Sequence, residues 1–135
     1  MKHAIYALLA LCLVLSGSLS AKAQDNTGFL IKAPSGDIIK VAAQDLGTLM
    51  TWEEAKEACA NLGDGWRLPE VNELYEMNNQ LRKSGKGNFR TDQPYWSKVG
   101  YENTGEAWYY SFNSEKSGIS KNWHYRRVRA VRDLK

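Results

Sequence analysis

The chain has 135 residues, of which 24% are charged, with 18 Lys and Arg against 15 Asp and Glu and only two Cys. That length suits one domain with one modest core, and a net charge of +3 is too small to mark a nucleic-acid partner. A single apolar run occurs, too short for stable membrane insertion.

Met1-Lys2-His3 is a short basic start, the apolar run from Ala4 to Leu15 follows it, and Ala21-Lys22-Ala23 supplies a small-x-small cleavage pattern. Residues 1–23 therefore read as a signal peptide, and the protein as exported, to the periplasm or to the cell surface and beyond. Cys12 follows Leu11, which argues against a lipid anchor there. Cleavage leaves residues 24–135 as a single domain of 112 residues with a net charge of +1. Its one cysteine, Cys59, cannot close an internal disulfide, so stability must come from packing.

Gly28 to Lys32 and Asp37 to Val41 are β-rich runs separated by Ala33-Pro34-Ser35-Gly36, the signature of a hairpin. Thr51-Trp52-Glu53-Glu54 reads as a capping box, in which Glu54 reaches back to the Thr51 N–H. Trp52, Ala55, Cys59 and Leu62 then repeat at helical spacing up to a stop at Gly63. A second helix is expected from Pro69 and Glu70 to about Ser84-Gly85, with Val71, Leu74, Met77 or Asn78, and Leu81 on its apolar side. The polar residues 83–92 read as a mobile loop. Aromatic strands follow at Tyr95 to Ser97, Ala107 to Phe112 and Trp123 to Val131, with residues 113–119 as the turn between the last two. Period-2 alternation puts Trp108, Tyr110 and Phe112 on one face of the middle strand and Tyr109 on the other.

Thr51-Trp52-x-x-Ala55, Trp66-Arg67-Leu68-Pro69-x-x-x-Glu73-Leu74, Tyr95-Trp96-Ser97, Ala107-Trp108-Tyr109-x-x-Phe112 and Val128-Arg129-Ala130-Val131-Arg132 stand in that order. Together they resemble the Lcl C-terminal domain family, a bacterial extracytoplasmic group with a C-type-lectin-like fold. The resemblance implies an α+β domain with paired N- and C-terminal strands, two helices flanking small antiparallel sheets, and loops on the second sheet. It transfers a fold and no general activity. Two positions depart from the family pattern. Glu70 stands where many relatives have a capping Thr, and Ala130 stands where many have a cysteine that can pair with the one on the first helix.

Trp66-Arg67-Leu68-Pro69 reads as structural, with Trp66 an apolar anchor and Arg67 a planar fork for the Glu73 carboxylate. Cys59 lies mid-helix without a neighbouring His or second Cys and reads as an inert thiol. A calcium site of the lectin type would need a cluster of oxygen ligands, yet Gln93-Pro94 runs into Tyr95 and Asn122-Trp123 into His124. Calcium-independent binding is therefore expected. His124 lacks the companions of a zinc site, and no nucleophile motif is present. Neither a catalytic residue nor a cofactor is expected.

Residues 116–135 hold seven Lys or Arg against the single Asp133, and aromatics are interleaved with them. Tyr101, Tyr109, Lys121, Trp123, His124, Arg126 and Arg127 are the candidate binding residues, the rings to stack on sugars or peptide side chains and the cations to hold anions. The sequence thus points to a non-enzymatic recognition module for a glycan or a cell-surface protein, in adhesion. A structural subunit of a cell-envelope or fimbrial assembly is the alternative, and the oligomeric state is left open.

Overall fold

The computed structural model describes residues 28–134. The readings of residues 1–23 and of Cys12 lie outside the described residues. In chain order the elements are β1 (Gly28–Lys32), β2 (Ile38–Ala42), α1 (Trp52–Ala60), α2 (Val71–Gln80), a short 3-10 turn (Arg82–Ser84), β3 (Tyr95–Tyr101), β4 (Glu106–Ser111), β5 (Lys116–Lys121) and β6 (Val131–Asp133). The strands form two three-stranded antiparallel sheets, β1-β2-β6 and β3-β4-β5. The α+β arrangement expected above, two helices flanking small antiparallel sheets, is the one observed. Its terminal strands meet through β2, with Val41 opposite Val131.

Local chemistry explains both helices. Thr51 has an extended backbone and its Oγ1 accepts the Glu54 N–H at 3.4 Å, while the same hydroxyl donates to Glu54 Oε1 at 2.8 Å. The Glu54 carboxylate thus meets the Thr51 hydroxyl, not the Thr51 N–H expected from the pattern. α1 buries Trp52, Ala55 and Cys59. It ends after Ala60, so Leu62 falls beyond the helical register and is exposed. At the start of α2 the Glu70 N–H donates to Glu73 Oε1 at 2.7 Å, one of the helix-start donors that otherwise lacks a partner. Leu74, Met77 and Asn78 face inward, Leu81 is buried just past the helix, and Gly85 closes the turn in the left-handed conformation.

Two apolar clusters make the core. Ile31, Ile39, Val41 and Val131 of the first sheet pack on Leu74, Met77 and Leu81 and on the rings of Phe89, Tyr95, Tyr110 and Phe112. Phe89 and Tyr95 lie 4.8 and 5.1 Å from the Phe112 ring centre, so the segment expected as a mobile polar loop is anchored at its middle by a buried phenyl. The second cluster joins Trp52, Ala55 and Cys59 of α1 to Leu68, Trp96, Ala107, Val128 and Ala130. Each fully buried large side chain contributes roughly 1.5–3 kcal/mol. The two indoles also satisfy their N–H groups, Trp52 to the Ser97 carbonyl at 2.9 Å and Trp96 to the Met50 carbonyl at 2.8 Å. Trp52 lies so close over Gly100 that a Cβ there would collide with the indole, which explains a glycine near the end of the aromatic strand β3.

The strand expectations change at the C-terminal end. Lys116 to Ile119, expected as part of a turn, belong to β5, which pairs with β4 from Ser111–Lys116 to Glu106–Lys121. Only one apolar side chain, Ile119, occurs in this exposed edge strand, so hydrophobic alternation gives no signal. Residues 123–130, expected as a strand, are held by isolated bridges, Met50 with Arg126 and Tyr95 with Arg127. A ladder begins only at Val131. In this stretch Val128, Arg129 and Ala130 are buried, whereas Trp123 and Tyr125 are exposed, so its aromatic composition does not reflect a strand packed in the core.

Candidate functional site

The Trp66-Arg67-Leu68-Pro69 segment forms a brace. Arg67 donates from Nη1 and Nη2 to the two Glu73 oxygens at 2.8 and 2.9 Å, and from Nε and Nη2 to Asp133 at 3.2 and 2.9 Å. Its backbone pairs with Val131. The expected partner Glu73 is present, and Asp133, not foreseen, ties the same guanidinium to β6. Glu73 is 4% exposed, so its charge depends on this fork.

A second ionic centre is built around Asp45. Its Oδ1 accepts from Arg129 Nε and its Oδ2 from the Tyr95 hydroxyl, both at 2.8 Å, and Arg127 Nη1 lies 3.9 Å away. Arg129 is 1% exposed and also donates to the Ala42 carbonyl at 3.1 Å. Arg127 donates to both Asp92 oxygens at 3.0 and 2.9 Å, and this bond holds the Asp92 carboxyl below the usual range. Arg127 was expected to meet a ligand. The structure engages it in this network, where two internal carboxylates neutralise it.

Arg126 has a different environment. The chain bends out of β5 through Asn122 to Tyr125, and the bridge to Met50 then fixes Arg126 over the second sheet. Its guanidinium stacks 4.1 Å from the Tyr109 ring and 5.3 Å from that of Trp96. Nε donates to Ser120 Oγ at 3.2 Å, and no acidic side chain among the described residues pairs with it. Burial works against its charge and pulls its pKa below the ordinary arginine value. Gly118 leaves the room that the Tyr109 hydroxyl fills, so the ring under Arg126 is set by β5.

Arg126, Gln93, Trp123, His124 and Tyr125 line a hollow of about 270 Å³. Trp123 and Tyr125 are 65% and 61% exposed, and the His124 ring stands edge-on to Trp123 at 4.5 Å. Of the seven candidate residues the structure therefore gathers Trp123, His124 and Arg126, with Tyr109 beneath them. Gln93 and Tyr125 complete the hollow. The sequence reading missed both, although Tyr125 sits inside the same aromatic run. Tyr101 and Lys121 do not join it. They flank Glu106 in the β3-β4-β5 register, which puts them on the sheet face opposite Tyr109.

That opposite face borders a larger, open groove of about 930 Å³ between α2 and the second sheet. Val71, Tyr75, Val99, Trp108 and Tyr110 line it, with Glu70, Glu115 and Lys116 among its polar residues. The Tyr110 hydroxyl is buried there without a hydrogen-bond partner among the described residues. Alternation in the sequence correctly placed Trp108 and Tyr110 together. It could not show that α2 leaves Trp108 partly uncovered. Elsewhere the Cys59 thiol is buried, and burial pushes its pKa up to about 12, so it stays protonated at ordinary pH. Among the described residues no three His, Cys, Asp or Glu side chains are grouped to hold a metal, and no helix is long and apolar enough to cross a membrane.

The Lcl C-terminal domain family model matches residues 24–132. No match is found among curated proteins. Among solved structures the chain is similar to botrocetin, with 13% identity and a TM-score of 0.52 over 71% of this chain and 91% of that one. It is also similar to the adhesin InvE of Yersinia pseudotuberculosis, with 16% identity and a TM-score of 0.51 over 81% of this chain and 34% of that one. At these identities the likeness is one of fold.

Proposed function

The chain belongs to the Lcl C-terminal domain family, and from that premise we propose that it is an exported, non-enzymatic recognition module that binds a glycan or a surface protein in adhesion. One observation carries this reading: Trp123 and Tyr125 project into solvent around a half-buried arginine that has no carboxylate partner among the described residues. Exposed rings beside a partly desolvated cation are suited to holding a ligand. InvE, described as an adhesin, has a region of the same fold, in keeping with the reading.

The test is a glycan and surface-protein array probed with residues 24–135 and with the Trp123→Ala variant. Binding that is lost in the variant while its melting is unchanged is the expected result; binding that ignores the substitution places recognition elsewhere. Export is tested by intact mass, with Gln24 as the expected first residue of the released chain. A second reading, as a structural subunit of a cell-envelope or fimbrial assembly, is favoured by the apolar groove along α2. Stable co-purification with one envelope protein, lost in Trp108→Ser, would select it.

A further inference from the structure

We propose that the hollow formed by Gln93, Trp123, His124, Tyr125 and Arg126 is a subsite for one carboxylated sugar ring, a hexuronate or similar sugar acid, with Arg126 holding the carboxylate. This rests on the recognition reading above and gives it a ligand class.

The argument begins with the guanidinium. Arg67, Arg90, Arg127 and Arg129 each have a carboxylate within ion-pair distance. Arg126 has none, although burial disfavours its charge. Its single side-chain hydrogen bond uses Nε, toward Ser120 Oγ, so both Nη groups are left to a partner from outside the described chain. A planar guanidinium matches a planar carboxylate through two parallel N–H···O bonds. A tetrahedral dianion such as sulfate is better served by several cations. Here Arg126 is the only Arg or Lys among the described residues that lines the hollow, and Lys121 lies on the other sheet face.

Size and surface choose the rest of the ligand. A volume of about 270 Å³ is below the range of pockets that enclose drug-sized molecules and suits a single ring. Trp123 and Tyr125 offer exposed aromatic surface for the C–H face of a pyranose. The His124 ring braces Trp123. The Gln93 amide supplies both donors and an acceptor for ring hydroxyls.

The experiment is an NMR titration of residues 24–135 with D-glucuronate, D-galacturonate, glucose, galactose, acetate, inorganic sulfate and an N-acetylated glutamyl peptide amide. Both sugar acids should shift the Trp123 indole and Arg126 Nε–H signals and bind at least about tenfold more tightly than the neutral sugars or acetate. Arg126→Gln should erase the preference for acid over neutral sugar. Trp123→Ala should weaken sugar-acid binding and leave acetate unaffected. Should Arg126→Gln unfold, the parent's preference for acid over neutral sugar, together with the loss of sugar-acid binding in Trp123→Ala and Gln93→Ala, tests the site. Equal binding of neutral and acidic sugars overturns the carboxylate assignment. Equal or tighter binding of sulfate or of the peptide overturns the sugar-acid class. If no sugar acid reaches these residues while an array ligand still depends on Trp123, this inference fails and the recognition reading stands; if the array also finds nothing, both fail.

Discussion

Arg126 and Arg127 are adjacent in sequence and belong to opposite environments. Arg127 joins Arg129, Asp45, Asp92 and the Tyr95 hydroxyl in a network that closes on itself. Arg126 lies on rings, bonds one serine and has no carboxylate partner among the described residues. The first region stabilises the fold by satisfying its own charges. The second carries a partly desolvated charge whose compensation must come from water or a ligand. A basic segment is therefore not one surface, and counting its charges cannot say which of them are available.

Removing an acid from the closed region should have the largest effect. Asp45→Ala leaves the buried Arg129 without its carboxylate and the Tyr95 hydroxyl without its acceptor, a loss of about 3–5 kcal/mol. A domain of this size should then melt more than about 10 °C lower. Urea unfolding of the parent and variant measures it. A variant as stable as the parent would break the comparison at its root, because the network would then contribute nothing.

Arg67→Ala comes next, since it strands the buried Glu73. The expected cost is about 3 kcal/mol, toward the lower end for a broken buried pair because part of the Arg67 side chain already meets water. Binding by the folded variant should be unchanged. Altered binding at full stability would move this brace into the recognition surface.

How much of this was visible in the sequence depended on the range of the signal. The Thr51 cap, the Arg67–Glu73 fork and the alternation of Trp108 and Tyr110 are local patterns, and the structure contains all three. Asp133 reaches Arg67 across 66 positions and Asp45 reaches Arg129 across 84. No window of residues contains such pairings, so Arg126 and Arg127 looked equivalent. β5 escaped because an edge strand facing water has no need of an apolar period. Leu62 was misplaced because helical spacing continued on paper past Ala60, where the bonding tightens into a turn in which the Leu62 N–H donates to the Cys59 carbonyl at 3.1 Å. The groove could not be read at all, since it is a gap between α2 and a sheet and its existence depends on how closely they pack.

Cys59 sharpens the comparison by adding burial without a charge partner. Burial raises its folded pKa from 9.0 to about 12, so its contribution to stability is complete below pH 9 and is lost as the pH rises toward 12. Tyr95 is shifted in the same direction, chiefly by burial, and adds to the loss above its ordinary value of 10.0. Cys59 alone should account for up to about 1.4 kcal/mol per pH unit in that window. Unfolding free energies of Cys59→Ala at pH 8 and pH 11 should therefore differ less than those of the parent. The thiol should also label slowly when folded and fully in denaturant. Fast native labelling would show that the helix face is open. Conversely, because Cys59 and Ala130 share one buried cluster, Ala130→Cys should form an internal disulfide under oxidising conditions.

Arg126→Gln should have the smallest effect on stability, and for that reason it is the most discriminating. The substitution removes a cation from the Tyr109 ring, worth about 0.5–2 kcal/mol in a partly desolvated setting. It also relieves the cost of keeping an unneutralised guanidinium half-buried, which acts in the opposite direction. No carboxylate is stranded, and Gln retains an amide that can reach toward Ser120. The net change should stay within about 1 kcal/mol, so a thermal melt should move by only a few degrees, far less than for Asp45→Ala. A loss as large as that of Asp45→Ala would make Arg126 a structural residue like Arg127 and remove the physical distinction between the two regions. A small loss accompanied by abolished ligand binding is the outcome expected of a charge that the fold does not need and a ligand does.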